Sequence, residues 1–118
     1  ARFDQAAAFS GRGYTRATNQ VKPDLVAPGV EIMSCAPGGG YQVRTGTSMA
    51  TPFVTGSAAL LMQWGIVNGN DAYLYGEKMK AYLIRGAKRG ARKLPGFTVY
   101  PNPVLGWGAL CTANSIPR

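Results

Sequence analysis

The stretch of this chain that most restricts its fold is a run of 26 residues, Thr45–Asn70, that contains no charged side chain. Within this run, small and apolar residues predict an α-helix from Ser48 to about Trp64. Thr47 or Ser48 can cap its start, and Gly65 gives a stop signal. No face of this helix is polar enough to suit water, which is typical of a central helix buried on all sides.

The rest of the sequence supplies few elements that could bury such a helix. Strand-like pieces lie at Leu25–Ala27, Val30–Cys35 and Tyr41–Arg44, and a second, amphipathic helix is predicted from about Leu74 to Lys88. Gly106–Leu110 indicates a short strand or tight turn. Three short strands in 118 residues barely provide layers on both sides of a buried helix. We therefore expect the chain to be part of a larger fold whose remainder covers the helix.

The composition excludes several classes of protein. The chain is 46% hydrophobic and 15% charged, which suits a buried core and argues against a disordered tail. It contains no histidine, so it cannot hold a complete Ser-His-Asp or Cys-His site or a histidine-ligated metal. Its five acidic residues are scattered, and no pair of carboxylates is placed for acid–base chemistry. We expect no metal site and no cofactor in this chain.

The basic residues are concentrated in one span. The net charge is +8, and seven of the thirteen basic residues lie within residues 78–93, which hold no acid. A basic patch can bind nucleic acid, but it is also typical of a solvated helix face. Tyr82 is the only aromatic residue in the span, and it fits the apolar face of the second helix. The sequence therefore favours a solvated face, and we expect no nucleic-acid partner.

The cysteines and the hydrophobic stretches predict neither a redox motif nor a membrane anchor. Cys35 and Cys111 form no C-x-x-C motif, and two free, buried thiols are favoured over one disulfide. Residues 1–9 lack the basic and apolar regions of a signal peptide. Met49–Trp64 is too short and too polar for a membrane span, so we expect no membrane partner.

The segment Gly46–Pro52 has the features that a nucleophilic serine needs. A serine in the first turn of a helix lies beside unpaired backbone N–H groups at the positive end of the helix dipole, which stabilise an oxyanion formed there. Gly46 allows a sharp turn and close approach of a substrate, and Pro52 is tolerable only in the first turn. The same residues also suit an ordinary helix cap, so the local sequence leaves both interpretations open.

Three motifs carry a resemblance to a known family. Phe9–Gly13 (FSGRG), Lys22–Gly29 (KPDLVAPG) and Gly46–Pro52 (GTSMATP) occur in the same order as the motifs that surround the nucleophile of the subtilisin-like serine proteases, the subtilases. Gly106–Gly108 resembles the G-x-G segment near the end of the subtilase domain. The resemblance covers Phe9 to Ala109, and the sequence also resembles the clostridial branch of germination proteases.

The resemblance implies an α/β fold. Residues 1–118 would be the C-terminal segment of a peptidase domain, a three-layer sandwich with a mostly parallel sheet and a central buried helix. Ser48 would attack the scissile peptide carbonyl and form an acyl-enzyme, with its own N–H in the oxyanion hole. Gly46 and Thr47 would shape the site, and residues 38–46 would line the substrate cleft. The expected partners are a polypeptide substrate and the N-terminal remainder of the same domain.

The sequence departs from the family pattern at the other catalytic positions. The family's aspartate, histidine and oxyanion asparagine precede the serine by a long way, and the chain has no counterpart of them. Asp24 belongs to the KPD motif and Asn19 lies too close to Ser48, so neither takes these roles. Phe53 replaces a histidine that is not the catalytic base. Because a serine without its base is a poor nucleophile, we expect the chain alone to be inactive.

Two functions follow from the resemblance. The leading hypothesis is a serine endopeptidase whose catalytic residues are completed by an upstream segment, and the alternative is a pseudoprotease or protein-binding module on the same scaffold. The family implies an extracellular, cell-envelope or spore-associated location. It also implies calcium in the full-length fold, although no calcium site can be assigned to the acids of this chain.

Overall fold

The computed structural model describes residues 6–89 and 99–117. The elements in chain order are strand β1 (Ile32–Cys35), strand β2 (Tyr41–Arg44), helix α1 (Thr47–Met62), a π-helical turn (Gln63–Val67), helix α2 (Gly76–Gly86) and the short helix α3 (Thr112–Ser115). The first part of the loop-rich C-terminal segment, including Arg92 and Lys93 of the basic span, lies outside the described residues.

Strands β1 and β2 form an antiparallel hairpin in which Ile32 pairs with Arg44 and Cys35 pairs with Tyr41. The turn between them is Gly38–Gly40, whose φ angles of 83°, 108° and 75° are readily adopted only by glycine. No heavy atom lies within 4 Å of a Cβ built on any of the three. The predicted strands Val30–Cys35 and Tyr41–Arg44 are therefore present, the first as Ile32–Cys35, and the glycine loop is an open turn. The predicted piece Leu25–Ala27 forms an isolated bridge at Val26 instead of a strand.

The helical segment that begins with α1 is longer than the predicted helix, although α1 itself ends at Met62. It begins at Thr47 and passes directly into the π-helical turn, so that helical backbone continues to Val67. Gly65 does not end the helix, contrary to the prediction. It is buried in the π-helical turn, where an added Cβ would lie 2.8 Å from the carbonyl oxygen of Asp71 and 2.9 Å from the Cβ of Leu74. Gly65 thus allows the connection to α2 to pack against the helix.

The helical segment Thr47–Val67 has 21 residues and a mean hydropathy of 1.2, which makes it long and apolar enough to cross a membrane. The stretch Met49–Trp64, taken alone, is too short and too polar for a membrane span. The helical segment that forms is longer, because it extends to Val67. Length and composition are weak evidence, since the core helix of a soluble protein passes the same test.

The core lies between α1 and α2. Its fully buried members are Leu61 of α1 and Leu74, which precedes α2, and these pack with Met79 and Leu83 of α2. Helix α2 is shorter than predicted, because the N–H of Lys88 donates to the carbonyl of Ala109 at 2.8 Å instead of continuing the helix. The predicted apolar face of α2 is therefore correct, although both ends of the helix lie inside the predicted range.

The prediction that α1 is buried on all sides is wrong for the described residues. Ser57 and Leu61 are its buried members, whereas Phe53 is 42% exposed and Leu60 is 51% exposed. The physical reason is that α2 and the C-terminal segment pack on one side of the helix only. One apolar face of α1 is therefore open.

The C-terminal segment folds back onto the KPD motif. The N–H of Trp107 donates to the carbonyl of Asp24 at 2.7 Å, and the N–H of Leu110 donates to the carbonyl of Val26 at 2.7 Å. Gly106 has a φ of 59°, and its Cα faces the backbone of Asp24 so closely that a side chain has no room. Val26 and Ala109 form a parallel bridge. The mostly parallel three-layer sandwich stays a prediction.

The basic side chains of α2 and its C-terminal extension are used within the chain. The contacts are Lys78 Nζ to Asp71 Oδ2 at 2.6 Å, Lys80 Nζ to Asp24 Oδ2 at 3.1 Å, the Arg85 guanidinium 4.9 Å from the centre of the Tyr82 ring, and the Arg89 guanidinium 5.5 Å from that of Trp107. These contacts give the basic span a role in holding α2 in place.

Candidate active site

Ser48 is the second residue of α1, and its side chain is exposed. The residue before the helix is Gly46, whose backbone is extended, and no side chain caps the helix there. The prediction that Thr47 or Ser48 caps the helix is therefore wrong, because Gly46 occupies the cap position and both residues lie inside the helix. Within the described part of the chain the Ser48 hydroxyl has no hydrogen-bond partner, so it is available to a ligand.

The backbone around Ser48 offers hydrogen-bond donors to that ligand. The N–H of Met49 already donates to the carbonyl of Gly46 at 3.0 Å. Among the described residues, the amides of Thr47 and Ser48 have no acceptor. Unpaired amides at the start of a helix attract negative charge, and the helix dipole adds to this attraction. An oxyanion formed at Ser48 would therefore meet a favourable potential.

The turn that carries Ser48 is fixed by the segment that follows the KPD motif. The N–H of Gly46 donates to the carbonyl of Gly29 at 2.8 Å, and the N–H of Glu31 donates to Oγ1 of Thr45 at 2.8 Å. A Cβ on Gly29 would lie 2.7 Å from the carbonyl oxygen of Gly46, so this approach requires glycine. The two motifs of the sequence analysis are thus in direct contact.

Pro52 lies inside α1, beyond the first turn where the sequence analysis expected it. Because proline has no N–H, the carbonyl of Ser48 receives no helical hydrogen bond from it. The carbonyl of Thr47, one residue earlier, accepts a hydrogen bond from Oγ1 of Thr51 at 3.1 Å. The start of α1 is therefore held partly by side chains and partly by the contact with Gly29.

A cleft of about 440 Å³ opens beside Ser48, between the hairpin and the first turns of α1. The hairpin contributes Met33, Cys35 and Arg44 to its lining, and the helix contributes Met49 and Phe53. The cleft is therefore mostly apolar, with one cationic side chain. Neither cysteine is in a disulfide, as predicted, but Cys35 is exposed in the cleft instead of buried.

Asp24 is not a base for Ser48. Partial burial by itself would raise the pKa of this carboxyl, but hydrogen bonds from Lys22 (2.9 Å) and Lys80 (3.1 Å) to Oδ2 outweigh it and hold the pKa below its ordinary value of 3.8. A carboxylate held by two ammonium groups is a structural ion pair.

Asn19 lies in an exposed turn, which is closed by the hydrogen bond from its N–H to the carbonyl of Thr15. The sequence excludes Asn19 as an oxyanion donor.

The described residues contain no group of three or more histidine, cysteine, aspartate or glutamate side chains that could hold a metal ion. The full sequence has no histidine. The site around Ser48 consists of an exposed hydroxyl, a cleft, and two amides that have no acceptor among the described residues.

Comparison with known proteins identifies the family. Residues 1–108 match the model described as the subtilase family of S8 peptidases. The chain belongs to the subtilase family. Minor extracellular protease Vpr of Bacillus subtilis is 33% identical over 123 aligned positions, which cover 96% of this subtilase chain and 14% of Vpr. Subtilisin of Bacillus pumilus is 48% identical over 59 residues, which cover 50% of the chain and 19% of that protein.

Two solved protease structures superpose on the chain. The structure of the Clostridium perfringens CspB protease superposes with a TM-score of 0.82 at 50% sequence identity, covering 93% of this chain and 22% of that one. The prenylagaramide maturation protease PagA gives a TM-score of 0.66 at 29% identity, covering 96% of this chain and 38% of that one. These likenesses support an α/β fold, and the chain spans a minor part of the length of these relatives.

The three candidate site residues are consecutive at the start of α1. Gly46 precedes the helix, Thr47 and Ser48 are its first two residues, and of these three Ser48 lines the cleft. Of residues 38–46, which the sequence predicts to line the substrate cleft, Gln42 and Arg44 do so.

Proposed function

We propose that this chain is the nucleophile segment of a subtilisin-like serine endopeptidase, with Ser48 as the nucleophile. The observation that carries this proposal is the exposed Ser48 hydroxyl, which has no partner among the described residues and lies between two unpaired amides and a cleft. A serine that served only as a helix cap would have its oxygen bonded to the backbone. Membership of the subtilase family supports the same conclusion.

In the proposed reaction, Ser48 Oγ attacks the carbonyl carbon of a peptide bond while a base removes its proton. The N–H of Ser48 donates to the oxyanion, with Gly46 and Thr47 shaping the turn. The base returns the proton to the leaving amine, and the acyl group stays on Oγ. Water then attacks the ester under the same base, which frees the acid and restores the serine.

The base and its orienting aspartate are proposed to come from an upstream segment of the same domain, together with the oxyanion asparagine. The chain itself has no histidine, and its Asp24 is occupied by two lysines. We therefore propose that the chain alone is inactive. The open apolar face of α1, with Leu60 half exposed, fits a fold in which that upstream segment completes a three-layer sandwich around the helix.

The remaining properties of the proposed enzyme follow from the family. Its substrates would be polypeptides. We propose no nucleic-acid or membrane partner, because α1 would be the core helix of the complete domain and the described basic side chains pack α2. An extracellular location is supported by the names of relatives such as Vpr. Calcium in the complete fold and membership of the germination-protease branch stay predictions.

A fluorophosphonate probe tests the proposal, because it forms a covalent bond only with an activated serine. We expect the full-length protein to be labelled at Ser48, as shown by mass spectrometry of the tryptic peptide, and Ser48→Ala to abolish the labelling. Ser10→Ala, which changes a serine outside the cleft, is the matched control and should leave labelling unchanged. A full-length protein that folds and binds peptide but takes no label at Ser48 would instead be a pseudoprotease.

A further inference from the structure

The cleft beside Ser48 has a single charged side chain among its described lining residues, that of Arg44. Arg44 ends β2 opposite Ile32, and Gln42 lies two residues earlier, on the same face of the hairpin. Both side chains line the cleft. The position of the cation is therefore set by a paired strand and not by a free loop.

The Arg44 guanidinium is oriented but not neutralised. With the Gln42 amide turned so that its oxygen faces Arg44, that oxygen accepts from Nε at 3.0 Å and from Nη2 at 3.2 Å. Arginine has five N–H donors, so three have no partner among the described residues. The ion pairs among the described residues involve only Asp24 and Asp71 as acids, and neither meets Arg44.

The other surfaces of the cleft are apolar. Met33 is 69% exposed and Phe53 is 42% exposed, and both line the cleft together with Met49. Large exposed apolar side chains in a concave site favour an apolar ligand group. The chemistry of the cleft therefore matches a segment of polypeptide that carries one acidic and at least one apolar side chain.

We propose that Arg44 is a specificity-determining residue that selects peptides with an aspartate or glutamate close to the bond that Ser48 cleaves. An oriented guanidinium with free N–H groups can bind a carboxylate through two parallel hydrogen bonds. Met33 and Met49, which line the same cleft, hold the neighbouring apolar residue. This inference rests on the proposed function, because it assigns a substrate class to the same cleft.

The test uses the full-length protein and separates the inference from the function on which it rests. A peptide library, read by mass spectrometry, gives the residues preferred at each position around the cleaved bond. Two peptides that differ only in Glu or Gln at the preferred position are then compared. We expect kcat/KM to be about tenfold higher for the Glu peptide, the effect of one charge-assisted contact. Fluorophosphonate labelling of Ser48 is measured in parallel, since the probe carries no acidic residue.

Variants assign the preference to Arg44. Arg44→Gln should remove the difference between the Glu and Gln peptides, and Arg44→Glu should favour a Lys peptide over the Glu peptide. Arg16→Gln, which changes an exposed arginine outside the cleft, should keep the preference. If Arg44→Gln does not fold, Arg44→Lys keeps the charge without the fork and should retain only part of the preference.

Three results would overturn the inference. If Ser48 is labelled and peptides are cleaved without a preference for acid, the inference fails and the proposed function stands alone. The inference also fails alone if Arg44→Gln retains the preference. If neither labelling nor cleavage occurs, the proposed function fails and the inference fails with it.

Discussion

Gly29 and Gly46 are joined backbone to backbone, with the N–H of Gly46 donating to the carbonyl of Gly29 at 2.8 Å. This contact links the end of the KPDLVAPG motif to the turn that carries Ser48. It leaves no room for a side chain on Gly29, because an added Cβ would lie 2.7 Å from the Gly46 oxygen and 3.2 Å from the Cβ of Ala50. The position of the candidate nucleophile therefore depends on a residue far from it in sequence.

Gly29→Ala should displace the start of α1, because the neighbour it meets is backbone and not a flexible side chain. We expect the rate of Ser48 labelling by a fluorophosphonate to fall about tenfold or more, and the free energy of unfolding to fall by about 1–3 kcal/mol. Gly11→Ala is the control, since no atom lies within 4 Å of its added Cβ. Labelling of Gly29→Ala at the wild-type rate would show that the contact does not position Ser48.

The sequence was sufficient for the features that depend on local chemistry. The start of α1 and the placement of Ser48 in its first turn follow from Gly46, the uncharged run and the GTSMATP motif. The hairpin follows from two short strand patterns around Gly38–Gly40. These features could be predicted because each depends on residues close together in the chain.

Features that depend on distant contacts could not be predicted in this way. Gly65 has the local signature of a helix stop, but packing against Leu74 requires a glycine there, and the helix continues. Cys35 was expected to be buried, yet the hairpin register places it in an open cleft. The apolar pattern of α1 predicts that its faces are more stable when buried. The pattern does not indicate which element covers each face.

Leu60→Asp tests whether the open face of α1 is covered in the full-length protein. Leu60 is 51% exposed among the described residues, so a charge there would cost little if the face stayed open. We expect the face to be buried by the upstream segment, and the substitution to lower the free energy of unfolding by about 2–5 kcal/mol. Urea denaturation followed by tryptophan fluorescence measures this.

Val67→Asp is the matched control for Leu60→Asp. Val67 is 75% exposed and lies at the end of the π-helical turn. Its substitution should change the free energy of unfolding by no more than about 0.5 kcal/mol. If Leu60→Asp changes the free energy of unfolding as little as Val67→Asp does, the Leu60 face is open to solvent in the complete protein.

Asp24→Asn should reduce the sensitivity of the fold to acid. The lysine contacts, which outweigh partial burial, lower the pKa of Asp24 in the folded state, so the carboxylate stabilises the fold above its ordinary pKa of 3.8. That stabilisation is lost as the pH falls through the lower, folded-state pKa. Because the carboxyl is partly exposed, we expect Asp24→Asn to cost only about 0.5–1 kcal/mol at pH 7. The difference from wild type should close below pH 3.8.

The pH dependence of urea denaturation measures the effect of Asp24→Asn. Glu31→Gln is the control, because Glu31 forms none of the ion pairs among the described residues, and it should parallel wild type across the range. A constant difference between Asp24→Asn and wild type from pH 7 to pH 2.5 would show that the ion pairs do not stabilise the fold.

Modification of Cys35 should block the cleft. The Cys35 thiol is exposed and lines the same cleft as Ser48, whereas Cys111 is half-buried at the start of α3 and away from it. A bulky maleimide on Cys35 would occupy the space where a substrate must lie. We expect it to slow fluorophosphonate labelling of Ser48 in the full-length protein about tenfold. In Cys35→Ser the same treatment should have no effect, since Cys111 is then the only thiol in residues 1–118. Undiminished labelling after complete modification of Cys35 would mean that the cleft is not the path by which ligands reach Ser48.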